Sequence, residues 1–382
     1  MSWFYDPRFR KWAAQALVLF LLCLGVYELI VNTSANLARL NQDFGFDFLS
    51  RAAGFDLSTS LLPYSSNSSY SRALLVGFWN TALVSIVGVF LASILGFTIG
   101  VMRLSQNSVV SAFAGVYIEI VRNIPLLLQI FIWYALVLKP LPGPKQAISL
   151  FESIFISNRG IIMPHPSFGP GAWIAVALFI AALAGTWVFR RIARARKEAT
   201  GRGLPVWWIS LVAFFLAPVL GLLIAGWPLT WSHPVLAGFN FKGGMTLVPE
   251  FVALLLALST YTAAFIAEIV RSGITSVSRG QTEAASALGL DSGKTLRLIV
   301  IPQALRVIIP PLTSQYLNLT KNSSLAVAIG YPDLMYAGGT VNNQSGKAIE
   351  VFSILLVVYL SVSILTSLFM NWLNARMKLV ER

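Results

Sequence analysis

Charged side chains standing in or beside apolar runs are the residues whose types could do chemistry here. Glu119 and Arg122, and Glu268 and Arg271, are opposite charges at the i,i+3 spacing that lets helical neighbours pair near an interface. Lys321 lies inside another apolar run, with Asn318, Thr320, Asn322 and Ser323 around it. In hydrocarbon such groups persist only where they pair or face protein or a water-filled cavity. Material for catalysis is absent. His165 and His233 each adjoin a proline and read as loop residues, and Cys23 is the lone cysteine. No His, Cys and carboxylate cluster is spaced for a metal, and no nucleophile has a base placed by motif. The chain is therefore read as no enzyme, holding neither metal nor cofactor.

The elements that position these residues are set by composition. The 382 residues are 56% hydrophobic and 11% charged, with mean hydropathy +0.73. A soluble domain carries roughly twice that charged fraction, so most of this chain belongs in lipid as an all-α polytopic membrane protein. Eight stretches approach the roughly 20 apolar residues a helical span needs: 12–31, 73–102, 113–138, 172–189, 206–226, 247–270, 307–329 and 351–373. The seventh is interrupted by Pro310, Pro311, Asn318, Lys321 and Asn322. The first is too long for a signal segment and is expected to remain as an anchor. Gly96 and Gly100 have the small-xxx-small spacing that favours close helix contact. A net charge of +13 raises nucleic acid as a partner. With the N-terminus inside, however, the inner connections carry roughly twice as many Lys and Arg as the outer ones, with Arg190, Arg191, Arg194, Arg196 and Lys197 in one short loop. The charge then reports topology, both termini are cytoplasmic, and no nucleic acid is expected.

One island, 280–311, is polar between apolar segments. Ser278 and Gln281 have capping-box spacing, Glu283 to Leu288 favour helix, and Gly289 stands where a left-handed residue would end it. Asp291 or Ser292 can cap a second short helix, 293–301, which Pro302 is expected to interrupt. Small alanines on an exposed face suit docking into another protein's groove. The string GLDSGKT at 289–295 imitates a phosphate-binding loop, but its Gly–Gly gap is one residue short, Leu288 fills the glycine position, and a helix precedes it.

The island resembles the EAA loop of ABC-importer permease subunits. Glu283-Ala284-Ala285, three residues, Gly289, nine residues, Ile299, one residue and Ile301-Pro302 keep its spacing, with Ile301 where leucine is usual. The stretch 117–134, with Arg122, Pro125, Leu126, Leu127 and Gln129, resembles the polar-amino-acid subfamily (histidine, glutamine, glutamate). So do Glu268, Arg271, Gly273, Ile274, Ser276, Val277, Gly280 and Gln281, and then 302–306 and 321–325. The extra first span and central insertion resemble the larger permease subunits of broad-specificity L-amino-acid importers.

That resemblance implies a type I importer fold in the bacterial inner membrane, with a five-helix core, an added N-terminal helix and a two-helix insertion. Its implied divisions are 1–72 (anchor and periplasmic loop), 73–138 (first core part), 139–246 (insertion), 247–373 (second core part, with loop 271–306) and a tail, 374–382. Glu283, Ala284, Ala285, Gly289, Ile299 and Pro302 are implied to couple to a cytoplasmic ATPase dimer, which alone would use ATP and Mg. Other implied partners are a periplasmic amino-acid-binding protein, membrane lipid and a second permease subunit, heterologous because the insertion is one-sided. An amino-acid zwitterion in hydrocarbon needs partners for both charges. Arg122 and Lys321 are candidates for its carboxylate, Glu119 and Glu268 for its ammonium, and Asn318 and Asn322 for further hydrogen bonds, with a broken helix at Pro310-Pro311 offering backbone groups. The rival readings are an ion-gradient-driven secondary transporter of small polar solutes, for which no repeated halves are evident, and a membrane scaffold without transport.

Overall fold

The structure, a computed structural model, describes residues 6–39, 44–201 and 203–377. Arg202, Lys378 and Arg382, which the charge asymmetry assigns to the inner side, lie outside the described residues. By packing the chain divides into two units, Met1–Leu83 with Pro332–Leu373, and Val84–Tyr331 with Asn374–Arg382.

The first unit opens with α1 (Pro7–Arg39), whose apolar window has no buried residue. It continues through the start of α2 (Tyr70–Arg103), α11 (Leu334–Ser345) and most of α12 (Ala348–Met377). Phe48, Tyr70, Leu74, Leu334, Val341 and Leu355 form its core. Polar groups pin the same core. The Asn80 amide donates to the Thr59 and Pro332 carbonyls at 3.0 and 2.9 Å, and the Leu334 N–H donates to Thr81 at 2.9 Å. Asp333 caps α11 by accepting from the Tyr336 N–H at 2.8 Å.

In the second unit, α2 is followed by α3 (Ser108–Asn123) and α4 (Leu126–Phe131), the latter prolonged by a π turn, Ile132–Leu138. The expected single span over 113–138 is in fact a pair bent by 105°. The cause is local. Pro125 forces Ile124 into extended backbone, φ −95° and ψ 126°, because a residue before proline clashes in the α region. The buried Gln129 amide then donates to the Val121 and Ile124 carbonyls at 2.8 and 2.9 Å, satisfying acceptors left open at the end of α3. Among the described residues seven helices are long and apolar enough to span a membrane, and eight spans result if the bent pair counts as one.

The insertion holds α5 (Trp173–Thr200) and α6 (Val206–Ile224), an apolar hairpin packed mainly on itself. Here the expected basic loop is instead helix. Alanine, arginine, lysine and glutamate are strong helix formers, so α5 runs through all five cations to Gly201, which ends it at φ 70°. At the other end of the hairpin, the connections that hold His165 and His233, both expected as loop residues, form short strands. A sheet orders β1 (Ile148–Leu150), β2 (Ile154–Ser157), β3 (Gly160–Met163) and, beyond them, β8 (Met245–Leu247). Two antiparallel pairs complete the layer: β4 (His165–Phe168) with β5 (Leu229–Ser232), and β6 (Val235–Ala237) with β7 (Asn240–Lys242). His165 is thus a strand residue opposite Ser232. Strands of three or four residues are too short to show alternation in sequence.

The centre of this unit is α7 (Pro249–Thr275), flanked by α3, α4 and α10 (Ile301–Asn322). At Gly96 of α2 an added Cβ would lie 2.6 Å from Ile266, so only glycine allows this approach of α2 to α7, as the Gly96–Gly100 spacing predicts.

Candidate functional site

The polar island folds as α8 (Arg279–Ala287) and α9 (Ser292–Thr295), followed by a π turn, Leu296–Val300, that runs into α10. Ser278 is at the N-cap of α8, but its side chain makes no capping bond there, so the expected capping box is not formed. The Gln281 side chain instead accepts from Gln303 at 3.4 Å, tying α8 to α10. At the other end the expectation holds. Gly289 has φ 75°; its N–H bonds the Ser286 carbonyl at 2.9 Å and the Leu290 N–H bonds the Ala285 carbonyl at 3.1 Å, a Schellman closure. Asp291 caps α9 through the Lys294 N–H at 2.9 Å. The Lys294 ammonium, 2.8 Å away, holds the Asp291 carboxyl below its ordinary range.

Pro302 does not interrupt the second helix. Proline clashes with the carbonyl four residues back, here Leu298. The wider π turn over Leu296–Val300 makes room for the ring, and helix continues beyond it. Nor is α10 broken at Pro310-Pro311. Both rings lie on its exposed face, while Ile308, Ile309 and Leu312 occupy the buried one.

Of the six motif residues, Ala285 is buried, Ile299 and Pro302 are half-buried, and Glu283, Ala284 and Gly289 are exposed. Leu288 (81% exposed) and Leu298 (61%) add apolar surface to the same segment. An exposed carboxylate beside alanine and leucine suits a docking surface, whereas Ala285 anchors the helix. Behind the segment, a cavity of about 580 Å³ is lined by Val101, Val270, Ile274, Leu296, Ala304 and Ile308.

The candidate pathway residues fall into two sets. Glu268 and Arg271 are joined by a forked ion pair, Arg271 Nε to the two carboxylate oxygens at 3.2 and 3.1 Å and Nη2 to one at 2.5 Å. Glu119 and Arg122 are not paired: both are exposed, and the Arg122 guanidinium stands 5.0 Å over the Phe265 ring, one turn from Glu268. Lys321 and Asn318 are exposed and Asn322 half-buried, far along α10. Leu319 shares the level of Leu255 against Gly88, and Leu255 is 13 residues, about 20 Å along a helix, from Glu268. The two sets therefore cannot grip one small molecule together.

Two residues take positions that spacing alone does not reveal. Gln129 lies within a quoted motif, and the proline four residues before it was the signal that a break needed a donor. Arg306, one turn beyond Pro302, has Nε and Nη2 buried without a hydrogen-bond partner among the described residues. Nothing in its neighbourhood of sequence announces that burial.

Residues 199–379 match the family described as binding-protein-dependent transport system inner membrane component. The chain is 52% identical over 379 residues to the general L-amino acid transport system permease protein AapQ of Rhizobium johnstonii, covering 99% of this chain and 94% of that one. It is 44% identical over 410 residues to the glutamate/glutamine/aspartate/asparagine transport system permease protein BztB of Rhodobacter capsulatus, covering 99% and 96%. A solved amino acid ABC transporter with histidines aligns at a TM-score of 0.48 and 20% identity, over 80% of this chain and 95% of its own. Identity at this level along nearly the whole length settles kinship: the chain belongs to the family of inner membrane permease components of binding-protein-dependent transport systems.

Proposed function

We propose that this permease carries L-amino acids inward, driven by ATP hydrolysis in a separate ATPase dimer and fed by a periplasmic amino-acid-binding protein. It pairs with a second, non-identical permease subunit, and both its termini are cytoplasmic. The amino-acid substrate rests on what AapQ and BztB are named for. The observation that carries the coupling is the exposed face of α8, with Glu283 and Ala284 outward and Gly289 closing the turn in left-handed backbone. A rigid polar hairpin projecting from apolar helices gives an ATPase something to move. The π turn and α10 then transmit that motion into the core, and the two states differ in the contacts the hairpin makes. Glu268, Arg271 and Arg122 serve as one polar station and Lys321, Asn318 and Asn322 as the next, since the two sets lie too far apart for one site.

The test is ATP-dependent uptake of labelled glutamate by vesicles containing the chain with its co-purifying subunits and binding protein. Glu283→Lys and Gly289→Asp should each reach the membrane at wild-type level and lose at least tenfold in uptake. Normal ATP-driven uptake by both variants would overturn the coupling, and uptake indifferent to ATP depletion would overturn the energy source.

A further inference from the structure

Beyond transport, one end of the α5–α6 hairpin has the makings of a second binding site. Arg190, Arg194 and Lys197 stand at i, i+4 and i+7, on one face of α5 over about 10 Å of its axis. Facing them, the chain returns through Leu204 to Trp207 at the start of α6, and a cavity of about 430 Å³ lies between. Buried Ala193 is its floor. No acidic side chain lines it, and none of the three cations joins an ion pair among the described residues. Three like charges around a concave space repel one another unless an anion sits among them.

Two further observations say which anion. Trp207 stacks on Trp208 at 4.0 Å between ring centres, and Arg191 stands 4.1 Å over Trp187, so tryptophans mark this level of the hairpin as a membrane–water boundary. Next to the cavity the hairpin exposes apolar side chains all round, with only 6% of each helix's apolar window buried. Its neighbour is therefore hydrocarbon, and the anion at that depth is a lipid phosphate. We propose that this cavity binds an anionic phospholipid, its phosphodiester held by Arg190, Arg194 and Lys197 and the head of its acyl chains lying along Leu204 and Trp207.

The test is native mass spectrometry of the full chain with its co-purifying subunits in neutral-detergent micelles, titrated with phosphatidylglycerol, phosphatidylcholine or inorganic phosphate. Wild type should bind phosphatidylglycerol at least tenfold more tightly than phosphatidylcholine. R190Q/R194Q/K197Q should lose that preference, whereas K145Q/R159Q/K242Q, which removes three charges elsewhere, should keep it. R194Q alone should lose at least threefold, which covers the case of a triple variant that does not fold. Undiminished phosphatidylglycerol binding by the triple and single variants would overturn the proposal, as would equal loss in the control. Displacement of lipid by millimolar phosphate would assign a free-anion site instead. Retained lipid binding with lost subunits would assign an acidic protein surface.

Discussion

Helices α6 and α7 are both apolar enough to cross a membrane, and α6 is the more apolar of the two, yet 61% of the spanning window of α7 is buried against 6% of that of α6. The difference lies in residue size and polarity. α6 is built from Trp, Phe, Leu and Val, whose large side chains face outward. α7 carries Ala253, Ala257, Ala263, Ala264 and Ala267, all fully buried, with Ser259 and Thr262 buried among them. In water the larger side chains would be the ones driven inside. In hydrocarbon lipid solvates them as well as protein does, and association depends on close backbone approach and polar contacts. Apolarity places a helix in the membrane, and small and polar residues decide which helix becomes the centre.

The sharpest way to break this comparison is to add bulk at the α2–α7 contact. In Gly96→Leu the new Cβ meets Ile266, and we expect about 3 kcal/mol or more of destabilisation and loss of uptake. Gly185→Leu in α5, where nothing lies within 4 Å, should leave both unchanged. Thermal unfolding in detergent reads the pair, and equal effects would deny any special role to α7.

The second test asks whether buried polar groups in the core stretches carry comparable weight. Burial pushes the Asp333 carboxyl up to about 7 from an ordinary 3.8. The native state then holds a proton that the unfolded chain has released, so stability present below about pH 4 is lost as pH rises through 7. The loss has an upper bound of about 4 kcal/mol. Asp333→Asn keeps the cap acceptor and removes the titration. The wild-type unfolding temperature should fall across that range while the variant's does not, and parallel curves would refute the assignment. The smallest effect expected is that of Tyr134→Phe. It removes a 2.8 Å bond to Glu250 at the start of α7 and should cost about 1–2 kcal/mol, with uptake retained. A loss as large as that of Gly96→Leu would show that this bond, rather than close packing, organises α7.

Much of the site is legible in the sequence. Gly289 as the left-handed stop, Asp291 as one of two candidates for the second cap, Ala285 in a helix and Gly96 at a close contact all follow from spacing, because each is a local demand of backbone geometry. The prolines fail the expectation for one physical cause. Pro302, Pro310 and Pro311 are expected from sequence to break helix, but a π turn absorbs the first and an exposed face tolerates the others. Pro125, inside a stretch expected as one span, is the one that bends it by 105°. Whether a proline breaks a helix depends on whether freed carbonyls find donors, and here Gln129 supplies them. The same holds for Glu119 with Arg122: the spacing permits a pair, but the Phe265 ring takes the guanidinium.

Sequence by itself determined that this chain lives in a membrane, that it is mostly apolar helix, and that a capped polar hairpin interrupts the apolar stretches, since these rest on composition and on hydrogen bonds only a few residues long. Tertiary structure alone decided that α7 is the centre, that the candidate polar stations lie too far apart to act as one site, and that three arginine and lysine side chains share a cavity. Each of those depends on which helices meet, and in hydrocarbon that choice is made by the fit of surfaces distant in the chain.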